Sequence, residues 1–386
     1  MQLNTISLPK KFNDFTDARQ QGFIAIKQLK EQGKNIVGVF CAFTPVEIMD
    51  AAGAISVSLC GTSEESIPEA EKYLPRNLCP LIKSSYGFAV TDSCPYFYFS
   101  DLIVGETTCD GKKKMYELLN ELKPVHVMQL PQTNKGENVF NLWRNEIVSL
   151  KEKLENKFNV IITDDKLREV IKLRNKYRKA LKRFYELSCL CPPPMTGYEM
   201  LQVLHGTGFK TDKKSQIEII NELTDDILEE YNDGLREISL DSPRILITGC
   251  PVGGATEKII KTIEDNGGVV VCFETCGGAK SNDELVDENI DPIDALAQKY
   301  LNIPCSCISP NEKRFKLLNK LIDQYKVDGI IEVILQSCHT YNVESFKVKK
   351  FVNNKKDLPY MSIETDYSQS DASQLKTRIS AFIEML

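Results

Sequence analysis

Short β-branched runs recur along this chain, each followed by a segment of helical periodicity, and that alternation constrains the fold more than any other feature. In a first block, 36–40, 55–59, 101–107 and 125–130 read as strands, with helices predicted at 44–52, 80–88 and 112–122. From 243 the pattern resumes, with strands at 244–248, 269–274, 328–335 and 360–364 and helices at 256–266, 294–300, 313–325, 343–353 and 374–385. Strands separated by helices pair in parallel, because the helix is the crossover that returns the chain to the same sheet edge. Between the blocks the sequence is charged and helix-periodic at 143–158, 165–187, 198–204 and 215–237, with a break at CPPPMTG (191–197). Residues 1–34 are also helical in pattern, with Phe15, Phe23, Ile24, Ile26 and Leu29 on one face. The predicted fold is α/β: two doubly wound parallel-sheet domains, Rossmann/flavodoxin-like, joined by helices. The boundaries are an N-terminal α/β domain over 1–140, a helical connector over 141–240 and a C-terminal α/β domain over 241–386.

No run approaches about 18 consecutive apolar residues, so no membrane-spanning helix is predicted. The opening MQLNTISLPKKFNDF lacks the apolar core of a secretory signal, and the chain is read as cytoplasmic. A net charge of −6 argues against a nucleic-acid partner. Three histidines leave little material for a histidine-built metal centre, whereas cysteine is abundant at 13. That count is odd and nothing signals secretion, so disulfides explain it poorly. Thiolates for a metal or a cluster are the leading reading.

The positions of the cysteines support it. Open parallel sheets bind ligands beyond the carboxyl ends of their strands. Cys41, Cys60, Cys109, Cys250, Cys276 and Cys338 each follow a predicted strand at that edge, and Cys79 opens a helix, whose positive end favours thiolate. Cys272 in mid-strand, Cys189 and Cys191 beside the prolines, and Cys94 at the opposite sheet edge read instead as small structural hydrophobes. No pair has C-x₂-C spacing, and Cys305 and Cys307 form only C-x-C. GETTCDGKKK (105–114) is not a Walker A loop, so this chain is not expected to hydrolyse ATP itself. The lysines at 112–114 read as a solvated helix face, the alternative being charge compensation for an anionic cluster or a docking surface. TGCPVGGA (248–255) is a strand-to-helix turn suited to anion binding or to tight packing. His339 reads as a hydrogen-bonding side chain, with proton delivery the sharper alternative, and His126 and His205 read as ordinary. Glu47, Glu332, Glu364 and Asp366 lie near strand ends, but nothing marks a catalytic pair, and the catalytic residues stay unassigned.

RNLCPLIKSSYGF (76–88), VGETTCDGKKKMYELL (104–119), VDGIIEVILQSCHTYNVES (327–345) and LPYMSIETDYS (358–368) resemble the 2-hydroxyacyl-CoA dehydratase/benzoyl-CoA reductase family. FCAFTPVEIMDAAGA (40–54), TDSCPYFYFSDL (91–102) and IPCSCISPN (303–311) are most similar to its double-cubane cluster protein branch. The resemblance implies two parallel-sheet domains with an iron–sulfur cluster between them. It places the three ligands of a single [4Fe–4S] cubane at Cys79, Cys109 and Cys338. A double-cubane [8Fe–9S] cluster would need a second set, placed by edge position at Cys41, Cys276 and Cys307, with Cys305 and Cys60 as substitutes and Cys94 left open. The implied function is an anaerobic oxidoreductase. It would take low-potential electrons from an ATP-hydrolysing activator protein carrying its own [4Fe–4S] cluster and reduce a small molecule, as a homodimer. The alternatives are a [4Fe–4S] subunit of a 2-hydroxyacyl-CoA dehydratase, a non-catalytic cluster carrier, and a colourless two-domain zinc- or sugar-binding protein with buried thiols.

Overall fold

The structure is a computed structural model describing residues 18–251, 253 and 256–386. Ile36–Val39 (β1), Ile55–Ser58 (β2), Leu102–Glu106 (β3) and Val125–Met128 (β4) form one sheet in the order β2-β1-β3-β4. Arg244–Gly249 (β5), Val269–Glu274 (β6), Gly329–Leu335 (β7) and Tyr360–Thr365 (β8) form a second in the order β6-β5-β7-β8. Every pairing in both is parallel, so the chain is α/β with two Rossmann/flavodoxin-like sheets. β1, β3, β5 and β7 are buried at every position, as strands covered by helices on both faces must be. The edge strands β2, β4 and β8 carry partly exposed residues. β6, also an edge, is buried throughout because the helix Gly197–Phe209 lies on it. A Cβ added at Gly197 would meet the Val270 side chain at 2.3 Å.

In each sheet the first strand of the set sits between its second and third, so connections leave it in opposite directions. Such a switch point opens a crevice at the carboxyl ends. Cys41 and Cys109 follow the two strands that flank the crevice in the first sheet, and Cys250 and Cys338 follow those in the second.

The predicted helices form, several beginning earlier than their apolar periodicity. Glu137–Phe158 starts six residues before the expected 143, for example. Three very short helices, Ile67–Ala70, Pro95–Phe99 and Ala279–Asn282, went unread because one turn has no period to detect. In the helix Ala18–Glu31, Ile26 is buried and Phe23 and Leu29 half-buried, but Ile24 is 57% exposed, so the apolar face is narrower than expected; Phe15 lies outside the described residues. The helix Asp164–Tyr185 contributes Leu167, Val170 and Ile171 to the core around the first sheet and Ala180, Leu181 and Phe184 to the core around the second. No helix among the described residues is long and apolar enough to cross a membrane.

Ion pairs fix that helix to the helix Val46–Ala51, which follows β1. Arg178 Nη2 donates to Glu47 Oε1 at 2.5 Å, Tyr300 OH donates to Glu47 Oε2 at 2.7 Å, and Arg174 forks onto Asp50 at 2.5 and 2.8 Å. Burial pushes the Glu47 carboxyl up, but Arg178, Arg174, Lys299 and Tyr300 outweigh it and hold the group at about 2 against an ordinary 4.5. A depressed carboxylate contributes stability that is complete above its unfolded value and is lost as pH falls through the folded one. Glu47→Gln is therefore expected to cost about 3–5 kcal/mol at neutral pH, because it leaves Arg178 buried and unpaired. It should also flatten the loss of stability between pH 4.5 and about 2. Urea midpoints measured across that range check both; an unchanged slope would show that Glu47 does not drive the acid transition.

Candidate metal centre

Cys79, Cys109 and Cys338 share one local solution. Each is the residue immediately before a helix: Pro80–Val90, Asp110–Leu122 and His339–Phe351 respectively. The unpaired amides and positive dipole end of a helix favour a sulfur in its thiolate form. Cys94 also precedes a helix, but one of only five residues, Pro95–Phe99.

The thiols gather in two groups. In the first, β5 and β7 are neighbours in register Gly249↔Val333, which sets Cys250 beside the β7 loop. The Cys250 sulfur accepts from Leu335 N at 3.3 Å. Thiol hydrogen bonds from Cys250 and Cys79 pull Cys338 well below the usual thiol range. Burial and the bond to Cys338 push Cys250 up, and that bond with burial does the same for Cys79. Tyr367 is 3% exposed and its hydroxyl, within electrostatic reach of Cys79, Cys60, Cys250 and Cys338, has no hydrogen-bond partner among the described residues.

The second group gathers around Cys305 and Cys307, whose sulfurs lie 3.7 Å apart. The bond to Cys307, with Lys280 and Tyr341 adding to it, holds Cys305 down to about 5 despite burial. Tyr341 OH is 3.6 Å from the Cys305 sulfur and accepts from Lys280 Nζ at 2.5 Å. Cys41 feels Cys276 and Cys305, Cys276 feels Cys305 and Cys60, and Cys307 feels Cys41 and Cys109. Burial pushes Cys276 up to about 11, with Lys280 and Lys112 pulling the other way. Cys60 donates to the Phe40 carbonyl at 2.8 Å, and Lys112 Nζ reaches the same oxygen at 3.3 Å. One carbonyl thereby ties the loops after β1 and β2 to the helix after β3.

Of the cysteines singled out from sequence, Cys79 and Cys338 stand together, and Cys41, Cys276, Cys307 and Cys109 stand in the other group. Cys250, noted only for its edge position, completes the first trio, and Cys305 lies at the heart of the second. Cys272 is buried in β6 as a small hydrophobe, while Cys191 is exposed rather than buried. The lysine run divides. Lys113 and Lys114 are the expected solvated face, pairing with Asp110 and Glu117, but Lys112 is buried. Sequence reasoning also missed Glu106 and Glu274, each closing an apolar strand (LIVGE, VVVCFE) with no exposure. Glu106 accepts from Thr44 and Glu274 from Thr248, and burial pushes Glu106 up to about 7. Beside Glu274, Arg314 is fully buried and reaches Glu332 at 2.8 Å and Glu344 at 2.7 Å. Val252, Gly254 and Ala255 of the glycine-rich turn lie outside the described residues.

Among the described residues, no three His, Cys, Asp or Glu side chains stand ready to chelate a single metal ion. The donors are thiols without histidine, spread over two groups, with buried lysines beside them and an unpartnered tyrosine hydroxyl. Soft sulfur donors with buried cations beside them suit an iron–sulfur group and do not suit magnesium or calcium.

Residues 41–386 match the family model described as 2-hydroxyglutaryl-CoA dehydratase, D-component. The chain is 54% identical over 380 residues to the "Putative dehydratase subunit YjiM" of Escherichia coli (strain K12), covering 98% of each chain. It is 25% identical to the (R)-phenyllactyl-CoA dehydratase beta subunit of Clostridium sporogenes, over 98% of this chain and 99% of that one. It is 23% identical to a benzoyl-CoA reductase subunit of Thauera aromatica, over 92% of this chain and 90% of that one.

Proposed function

This chain belongs to the 2-hydroxyglutaryl-CoA dehydratase D-component family, and from that premise we propose that it is a cytoplasmic iron–sulfur reductase holding a double-cubane [8Fe–9S] cluster. In this reading Cys79, Cys109, Cys338, Cys41, Cys276 and Cys307 supply the ligands, with Cys250, Cys305 and Cys60 as the thiols able to replace a member of either set. The cluster would supply low-potential electrons in more than one equivalent. The chain's own residues hold it at the facing crevices of two sheets, exclude water by burial and surround it with fixed charge. Electrons would come from a separate ATP-hydrolysing activator with its own [4Fe–4S] cluster, and a small molecule would be reduced by a homodimer. The observation that carries this reading is the number of thiols brought together: two groups, drawn from both sheets, where one cubane on three cysteines would use one.

A second reading is favoured by the relatives named as dehydratase subunits. Here the chain is a single-cubane [4Fe–4S] partner in a 2-hydroxyacyl-CoA dehydratase. Iron and acid-labile sulfide per chain, measured on anaerobically purified protein, separate the two. About eight irons and nine sulfides are expected for the first and about four of each for the second. Iron-free protein that has never met air would sink both. Cys109→Ala should lose iron while staying folded, since Cys109 makes no side-chain bond to the helix it precedes.

A further inference from the structure

Several buried cations in this chain have carboxylate partners, while Arg244 is satisfied by three backbone carbonyls, those of Tyr325, Leu190 and Ser188. Arg178 has Glu47, Arg174 has Asp50, Arg314 has Glu332 and Lys280 has Glu274 at 3.4 Å. Lys112 is different. It is 7% exposed, its ammonium donates to the Phe40 carbonyl at 3.3 Å and stands 5.8 Å from the Phe40 ring, and among the described residues no carboxylate is in ion-pair contact with it. Its helix neighbours Lys113 and Lys114 find Asp110 and Glu117 at the surface. Lys299 is also 7% exposed, with the Ser281 carbonyl at 3.1 Å and no carboxylate in ion-pair contact among the described residues, but burial draws it down to about 7. Lys112 instead is surrounded by groups that turn negative when they ionise, Tyr116, Cys41, Cys60 and Glu106.

A buried charge without an opposite charge is costly, and a chain that keeps one is organised for an anion. Metal ligation converts the surrounding thiols to thiolates, and an iron–sulfur group counted with its thiolate ligands carries net negative charge. We propose that Lys112 is the built-in counter-ion of the metal group held by Cys41 and its neighbours, and that its charge sets how readily that group accepts an electron. The inference rests on the iron–sulfur reading above and adds to it which residue tunes the group. The step concerned is uptake of one electron from an external reductant, with no bond made or broken. A positive charge at this range favours the reduced, more negative form.

The test compares wild type, Lys112→Met and Lys112→Arg, loaded with iron and sulfide under anaerobic conditions and titrated with titanium(III) citrate while the reduced signal is followed by electron paramagnetic resonance. Lys112→Met should weaken the one-electron reduction equilibrium about tenfold, which is about 59 mV more negative. Lys112→Arg should stay close to wild type, because it keeps the charge. Equal potentials in all three would overturn the proposal. Metal-free chains give a second, independent reading by urea unfolding. Without its anion Lys112 is a liability, so Lys112→Met should be at least as stable as wild type when iron is absent and should gain less from loading. A metal-free Lys112→Met chain that is clearly less stable, or fails to fold, assigns Lys112 to packing and overturns the counter-ion role. A wild type that takes up no iron sinks the iron–sulfur reading itself, while the metal-free comparison still decides whether Lys112 is an unsatisfied cation.

Discussion

Replacing Cys338 with alanine is expected to reduce bound iron at least about fivefold while leaving the chain folded. Cys338 receives hydrogen bonds from both Cys250 and Cys79, so it joins a β5 loop, a β7 loop and a helix start from the other half of the chain. Its loss removes the sulfur shared by both contacts, whichever of its partners completes the set. The fold should tolerate the change. Cys338 is only partly buried, and its side chain makes no cap bond to the helix His339–Phe351. Cys272→Ala is the control: that thiol is 2% exposed inside β6, so truncation should lower stability modestly and leave iron per folded chain unchanged. Iron assayed on both proteins after anaerobic reconstitution decides the point. Equal loss would mean iron binding tracks general stability, and retention in Cys338→Ala would remove Cys338 from the site.

What the sequence made legible follows from local physics. GIIEVIL and RILITG are uninterrupted apolar runs because both faces of β7 and β5 are covered, and such runs next to helical segments can be read without knowing their neighbours. The edge position of Cys250 and Cys338 was legible for the same reason. That the two thiols meet was not, because it depends on β5 lying beside β7, a pairing 85 residues apart in Leu335 N to Cys250 Sγ. Cys79 reaches them across the packing of one half on the other, which no periodicity records. Lys112 shows the other limit. Three consecutive lysines at the start of an amphipathic helix look alike in sequence, and only the approach of the Phe40 carbonyl singles out the first. Glu106 and Glu274 did leave a signal, a carboxylate ending an otherwise apolar strand, and burial gives that signal its meaning.

The same β5–β7 contact makes Gly249 a position where a single added methyl group should do large damage. Gly249 has φ +109°, a region L side chains rarely adopt, and a Cβ there would stand 2.1 Å from the Val333 carbonyl oxygen. That oxygen is also the acceptor for Cys250 N at 2.7 Å. The backbone conformation alone costs about 1–3 kcal/mol for a non-glycine residue. Relief of the clash has to come from strand backbone and not from a side-chain tip, which adds about 1–3 kcal/mol more. Gly249→Ala is thus expected to lose about 2–6 kcal/mol, a large share of the roughly 5–15 kcal/mol that holds a domain together. The loss should have a chemical signature as well. If β5 shifts from β7, Cys250 leaves Leu335 N and no longer lines up with Cys338, so iron per folded chain should fall in the fraction that still folds. Gly267→Ala separates the two contributions: its φ is +88° but nothing lies within 4 Å of the added carbon, so it bears only the backbone cost and should keep its iron. Urea midpoints together with iron content for the pair test the argument. If Gly249→Ala matched Gly267→Ala in both, the close approach of Val333 would not be what places Cys250.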